Sequence, residues 1–302
     1  MCPHAPTVRP SSSGRRAFLL MAAAGLVAAC APSADPGARS KPRASGTVAA
    51  PRTTAPIAPT APPPAAPVVP TRADVVARYA GVAPTAFGLD VPGVVNRLPT
   101  DERVVALTFD ACGGARGSGY DEALIETLRT TGTPATLFLN QRWVLTHPDL
   151  TAQLAADPLF ELANHGTTHL PLSVRGAAAY GIPGTTGPGE VFDEVTENLR
   201  TLTEVTGAPP RFFRSGTAHY DDVAVRIAGD VGATVVNFDV NGDAGATSGP
   251  QQVAAALGTV SPGSIVIGHM NQPTGGTAAG VAAALPRLTA DGFRFVRLSD
   301  HL

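Results

Sequence analysis

The sequence predicts an α/β domain whose parallel strands either close into a barrel or lie as a doubly wound sheet. Three observations predict it. From Thr71 onward, short apolar strands alternate with helical patterns. Those strands lack polar alternation, as expected where helices cover both faces of a parallel sheet. Finally, carboxylates, imidazoles and a guanidinium recur just past the strand ends, the edge at which such domains carry out chemistry.

In chain order, Asp74–Tyr79 reads as a short helix and 87–99 as an irregular or ribbon-like lead-in. Val104–Phe109 is the first strand; it ends at Asp110 and breaks into Cys112-Gly113-Gly114. Asp121 is placed to cap a helix over 121–130. Ala135–Leu139 is the second strand, and the helix near 143–156 is interrupted at His147-Pro148. Phe160–Ala163 leads into Asn164-His165. A glycine-rich loop then precedes a helix over 190–206, with Val191, Val195, Leu199 and Leu202 in helical spacing. Phe212-Phe213 ends at Arg214, a helix covers 221–230, and Thr234–Phe238 is the fifth strand. Helix 251–257, strand Ile265–Ile267 ending in Gly268-His269, helix 281–289 and strand Phe293–Leu298 complete the domain.

Composition narrows the function. The net charge is -2 and no basic stripe is visible, so nothing marks a nucleic-acid binder. Three cysteines, Cys2, Cys30 and Cys112, give no disulfide framework. Residues 1–30 read as a targeting segment. Arg15-Arg16 precede an apolar run from Ala17 to Ala29 that is too short to span a bilayer, and small residues lead to Cys30. The segment resembles a twin-arginine export signal followed by a lipobox, which implies lipid attachment at Cys30 and a place on the outer face of a bacterial cytoplasmic membrane. Residues 31–70 hold eleven prolines and eleven alanines and read as a disordered linker. The globular part is 71–302.

Asp110, His165 with His169, Arg214, Asp239 or Asp243, and His269 all follow predicted strands, so a parallel barrel would gather them at one mouth. Such a set suits metal-assisted hydrolysis. A cation polarises a carbonyl and acidifies water, a carboxylate takes the proton, and an imidazole supplies one to the leaving atom.

Thr108-Phe109-Asp110, Asn164-His165-Gly166-Thr167-Thr168-His169, Phe213-Arg214 and Ile267-Gly268-His269 resemble, in order, the motifs of the polysaccharide deacetylases, the NodB homology domain of carbohydrate esterase family 4. The resemblance covers roughly 103–298. It implies a distorted (β/α)7 barrel of NodB type, a divalent metal, usually zinc, and removal of acetyl groups from a polysaccharide such as peptidoglycan, chitin or xylan. Asp110 matches the family's base, His165 and His169 its histidine ligands, Arg214 the arginine that orients the base, and His269 the acid. Asp243 is favoured over Asp239 as the carboxylate behind His269, because it lies beyond the strand in a glycine-containing turn.

Three positions depart from the family. Ala111 stands where a second aspartate supplies the third ligand, Gly166 replaces Ser or Thr, and Ser215-Gly216 replaces proline. The third ligand is therefore open among Cys112, Asp121, Asp243 and His219, while Cys112 on its own reads as a small buried thiol. Ala111 also motivates a second reading: an inactive, lipid-anchored glycan-binding lipoprotein that kept the barrel. Aromatic residues make up only 5% of the chain, so no sugar-stacking platform stands out.

Overall fold

The computed structural model describes residues 69–302. Residues 1–30, read above as an export signal, and nearly all of the proline-rich segment 31–70 lie outside the described residues. Among the described residues, ten strands and eight helices follow in order: α1 (Arg72–Tyr79), β1 (Phe87–Gly88), β2 (Val104–Ala111), α2 (Glu122–Thr131), β3 (Ala135–Leu139), α3 (Gln141–Thr146), α4 (Pro148–Ala156), β4 (Phe160–Asn164) and α5 (Pro188–Thr206). Then come β5 (Phe212–Phe213), β6 (Tyr220–Asp221), α6 (Asp222–Asp230), β7 (Thr234–Val235), β8 (Val240–Asn241), α7 (Pro250–Leu257), β9 (Ser264–His269), α8 (Thr277–Ala290) and β10 (Arg294–Val296). No helix among these is long and apolar enough to cross a membrane.

Seven parallel strands curl in the order β7-β5-β4-β3-β2-β9-β8, with helices outside, giving the distorted (β/α)7 barrel. Two strands differ from the sequence reading. The predicted strand Thr234–Phe238 stops after Val235, where β7 forms one edge of the sheet, and β8, which begins only at Val240 beyond the predicted strand, forms the other. The cause is Arg214, whose Nε and Nη2 donate to the carbonyls of Val236 (3.1 Å) and Asn237 (3.0 Å), so these acceptors serve the guanidinium. The predicted last strand, β10, pairs only with the first half of β2, Arg294 opposite Val104 through Val296 opposite Ala106. The lead-in segment bridges the gap between the edges. Val95 pairs with Val236, and Arg97 with Ser264 at the start of β9.

Strand β2 is buried throughout, and its alternation sorts the layers. Val105, Leu107, Phe109 and Ala111 pack outward against α2, α3, α7 and α8 with Leu124, Trp143, Leu257 and Leu285. Val104 and Ala106 face inward, where they meet Phe138, Phe212 and Ile265. Asp110 shares that inward parity. A strand running through residue 111 therefore sends position 111 outward and position 112 back toward the barrel mouth.

Candidate metal centre and proton-transfer groups

The ends of the central strands lie level with one another. Asp110 of β2 is opposite His269 of β9 and Phe138 of β3, Leu139 is opposite Asn164, and Asn164 is opposite Phe213. His165 and Arg214, each one residue past its strand, therefore arrive beside Asp110.

Asp110 is 3% exposed. A carboxylate so placed needs partners, and Arg214 is the first, donating from Nη1 to Oδ1 at 2.8 Å. Arg214 is itself fully buried. Its remaining donors reach Thr108 Oγ1 and the two carbonyls of 236 and 237, and its plane stacks on Phe138 at 4.1 Å from the ring centre. All three guanidinium nitrogens are engaged, which fixes the carboxylate Arg214 holds.

His165 Nδ1 lies 3.0 Å from the carbonyl oxygen of Arg214, which can only accept. Nδ1 therefore carries the proton and Nε2 keeps its lone pair. That atom faces Asp110 Oδ2 at 3.5 Å and Cys112 Sγ at 3.9 Å. Burial disfavours charge on His165, but the Asp110 carboxylate and Cys112 outweigh it and raise its pKa above the ordinary value. The His169 ring stands edge-on to His165, 4.9 Å between centres.

Two departures from the family pattern have steric causes. His169 sits at φ 69, on a loop drawn inward by Glu194 of α5. The buried Glu194 carboxylate accepts from the amides of Thr168, His169 (2.8 Å) and Leu170 and from the Thr168 hydroxyl (2.6 Å). A Cβ at Gly166, itself at φ +79, would lie 2.5 Å from Glu194 Oε1. A Cβ at Gly216 would lie 2.3 Å from His169 Cγ and 2.4 Å from its carbonyl carbon. Both glycines thus leave room for the histidine loop. The sequence reading missed Glu194, although a carboxylate within the apolar stripe of a helix, beside Val191 and Val195, is the kind of signal that could have found it.

Of the four candidates for a third donor, only Cys112 joins the histidines. Asp121 caps α2 by accepting from Leu124 N–H. Asp243 belongs to His269, and His219 Nδ1 turns to the carbonyl of Thr217. Cys112 Sγ and one ring nitrogen each of His165 and His169 lie within 4.8 Å of one another. Burial raises the Cys112 pKa, but the charge of His169 and contacts with His165, His169 and His269 outweigh it and hold the thiol well below its ordinary value. His169 Nε2 is buried and has no hydrogen-bond partner among the described residues, an exception of the kind a ligand would account for. Two imidazoles and a thiolate fit a zinc-class cation. Cys112 is the small buried thiol the sequence suggests, and with Ala111 facing the outer layer, parity also brings residue 112 to the histidines.

His269 donates through Nδ1 to Asp243 Oδ1 at 2.9 Å, and its backbone N–H reaches Oδ2 at 2.7 Å. The Thr277 hydroxyl and the Ala246 N–H donate further hydrogen bonds to that carboxylate. Burial lowers the His269 pKa, yet Asp243 outweighs it and raises it well above the ordinary value. Asp239 lies elsewhere, paired with Arg97 and hydrogen-bonded to Ser264 and Ile265 N–H.

Two cavities flank His269, both lined by Gly216 and Gly245. One, of about 280 Å³, includes Asp110, Leu89 and Tyr180. The other, of about 190 Å³, includes Cys112, His169, Arg116 and Arg142. Tyr180, 51% exposed on the rim of the first, is an aromatic surface that composition alone did not reveal.

The sequence profile described as polysaccharide deacetylase matches residues 97–236. No curated protein matches the chain by sequence. Among solved structures, a CE4 family pseudoenzyme from Bacillus anthracis is similar at 22% identity and TM-score 0.57, covering 70% of this chain and 69% of its own. The Bc1960 peptidoglycan N-acetylglucosamine deacetylase is similar at 20% identity and TM-score 0.59, covering 70% and 92%. A family 4 acetyl xylan esterase from Clostridium thermocellum, solved with cobalt, is similar at 20% identity and TM-score 0.54, covering 65% and 89%. At these identities the structural likenesses bear on the fold.

Proposed function

Residues 97–236 belong to the polysaccharide deacetylase family, and from that premise we propose that the chain is a metal-dependent hydrolase removing acetyl groups from an N-acetylglucosamine-type polysaccharide of the cell envelope. The observation that carries this reading is the convergence of Asp110, the donor set Cys112, His165 and His169, and His269 at one end of the barrel. The peptidoglycan deacetylase among the structural neighbours supports the choice of polymer. The sequence around Arg15-Arg16 and Cys30 supports a lipid-anchored place outside the cytoplasmic membrane.

In this mechanism Cys112, His165 and His169 would hold a zinc-class cation, which when bound would supply Lewis acidity for the acetyl carbonyl and for water. Asp110 takes the proton from that water. Its Oδ1 is fixed by Arg214, so Oδ2, on the His165 side, is the oxygen left to accept. His269 enters protonated, because Asp243 stabilises its cationic form, and gives its Nε2 proton to the departing sugar nitrogen. Asp243 serves as the carboxylate behind His269: in spite of burial, the His269 charge first, and then hydrogen bonds from His269, Ala246 and Thr277, hold its pKa below the ordinary value. The alternative, an inactive glycan-binding lipoprotein, rests on Ala111; the thiol one residue later supports the hydrolase reading by offering a third donor.

The test is acetate release from N-acetylated chito-oligosaccharides and peptidoglycan fragments with added zinc or cobalt. Asp110→Asn is expected to lower the rate by about 100-fold or more. Sugar binding with no bound metal and no acetate release would overturn the hydrolase reading and leave the binder.

A further inference from the structure

The smaller of the two cavities has a one-sided charge. Its titratable lining is Cys112, Arg116, Arg142, His169 and His269, with no carboxylate, in a chain whose net charge is -2. The adjoining cavity, by contrast, contains Asp110. The thiol and His169 are already assigned to the metal donors and His269 to proton transfer, so the two arginines are left without a role.

Arg142 is held in place. Its Nε donates to Asn140 Oδ1 at 3.1 Å and its Nη2 to the carbonyl of Cys112 at 3.0 Å. Asn140 is fully buried, and its amide is used by the carbonyls of His165 and Gly166, so the anchor is rigid. The side chain lies over two glycines. A Cβ at Gly113 would come 2.8 Å from Arg142 Cβ, and one at Gly114 would come 3.2 Å from Nη1. Both glycines have positive φ, 67° and 80°; Gly113 makes room for the start of α3 at Arg142 and Gly114 for the guanidinium itself. Its Nη1 makes no hydrogen bond among the described residues, and the Arg116 guanidinium there makes neither hydrogen bond nor ion pair. A guanidinium already fixed in one rotamer loses little further freedom on binding, and its fork matches a carboxylate.

We propose that Arg116 and Arg142 form an anion subsite for a carboxylate carried by the sugar chain beside the scissile acetyl group, so that the substrate is an acidic acetylated glycan. The proposal rests on the hydrolase reading only for the kind of molecule that brings the carboxylate. Two sources share this chemistry: an ether-linked lactyl group, as on muramic acid, and the ring carboxylate of a uronic acid.

The experiment measures kcat/KM for zinc-loaded protein on three substrates: neutral chito-oligosaccharides, muramic-acid-containing peptidoglycan fragments, and glucuronate-branched acetylxylan. Whichever acidic substrate is preferred identifies the source. In Arg116→Gln with Arg142→Gln, the acidic-to-neutral ratio is expected to fall roughly tenfold or more, and in the unmodified protein it should shrink as salt is raised. Arg116→Gln alone removes a side chain without internal partners, so a smaller fall there excludes misfolding as the cause. A ratio unchanged in both variants, or a preference for the neutral glycan, overturns the subsite. A binding titration followed by nuclear magnetic resonance, using N-acetylmuramic acid against N-acetylglucosamine, separates this proposal from the hydrolase reading. Acid-selective binding lost in the double variant, without turnover of any glycan, leaves the subsite standing and the hydrolase fallen. Equal binding of the two sugars overturns the subsite whether or not turnover occurs.

Discussion

Gly216→Ala is the smallest change that should disable the donor set without altering any donor atom. The added Cβ would meet His169 Cγ at 2.3 Å, its carbonyl carbon at 2.4 Å and its Cα at 2.5 Å. Ordinary carbon–carbon contact lies near 3.5–4.0 Å, so His169 must retreat by about 1 Å or more. Two of the three clashes are with backbone, and no rotamer relieves them. The backbone cannot retreat freely either, because the His169 N–H is held by Glu194 at 2.8 Å. Overpacking of this kind costs about 1–3 kcal/mol. The loss of metal should be the larger effect, since zinc tolerates deviations of only about 0.2 Å in ligand distance. Zinc affinity, measured by competition with a chromophoric chelator, is expected to fall roughly 10- to 100-fold, as when the groups supporting a ligand are removed. Gly229→Ala is the control. That glycine lies in α6, where an added methyl would meet nothing within 4 Å, so the same substitution there should leave zinc binding intact and stabilise the helix slightly. Wild-type zinc affinity in Gly216→Ala would refute the steric reasoning.

Two further outcomes follow from the same site. With cobalt in place of zinc, the protein should show thiolate-to-metal charge-transfer absorption, absent in Cys112→Ser, and Cys112→Asp should shift preference from soft cations such as cadmium toward manganese; a cobalt spectrum without a sulfur band would exclude Cys112 as a donor. Asp243→Asn removes the charge that does most to raise the His269 pKa against burial, so that pKa falls and the alkaline limb of kcat/KM should move to lower pH. In stability the pair acts in a defined window. The raised histidine contributes fully below 6.5 and loses its contribution as pH climbs through its folded pKa, while the lowered aspartate contributes above 3.8 and loses its contribution as pH falls through its own. The Tm deficit of the variant should therefore be greatest between these two values, and a deficit independent of pH would count against the ion pair.

The strand-end residues were legible because period-2 strands and parallel crossovers leave little choice about where a chain must turn. Asp110 and Arg214 could be placed together from their strands alone. The partition of 234–241 between two edges was not legible, since nothing local in Thr-Val-Val-Asn-Phe-Asp says that Arg214, far away in sequence, will take the carbonyls of 236 and 237. Cys112 was ambiguous for a different reason. Its direction depends on whether β2 stops at 109 or continues to 111, and that boundary is set by pairing of Ala111 with Leu139, which sequence leaves uncertain by more than one residue. Glu194 carried a signal, a charge inside an apolar stripe, but its partner loop lies more than twenty positions upstream and the pairing could not be read.

The continuation of β2 through Ala111 bears on how relatives of this chain are judged. Column-by-column comparison of letters finds alanine where a ligand belongs and tallies a lost site. Yet a pleat reverses direction with each residue, so once Ala111 is turned outward the next side chain turns back to the side that carries Asp110. Position in a motif and position around a cation are then separate quantities, and a chain short of a ligand by the first can be complete by the second.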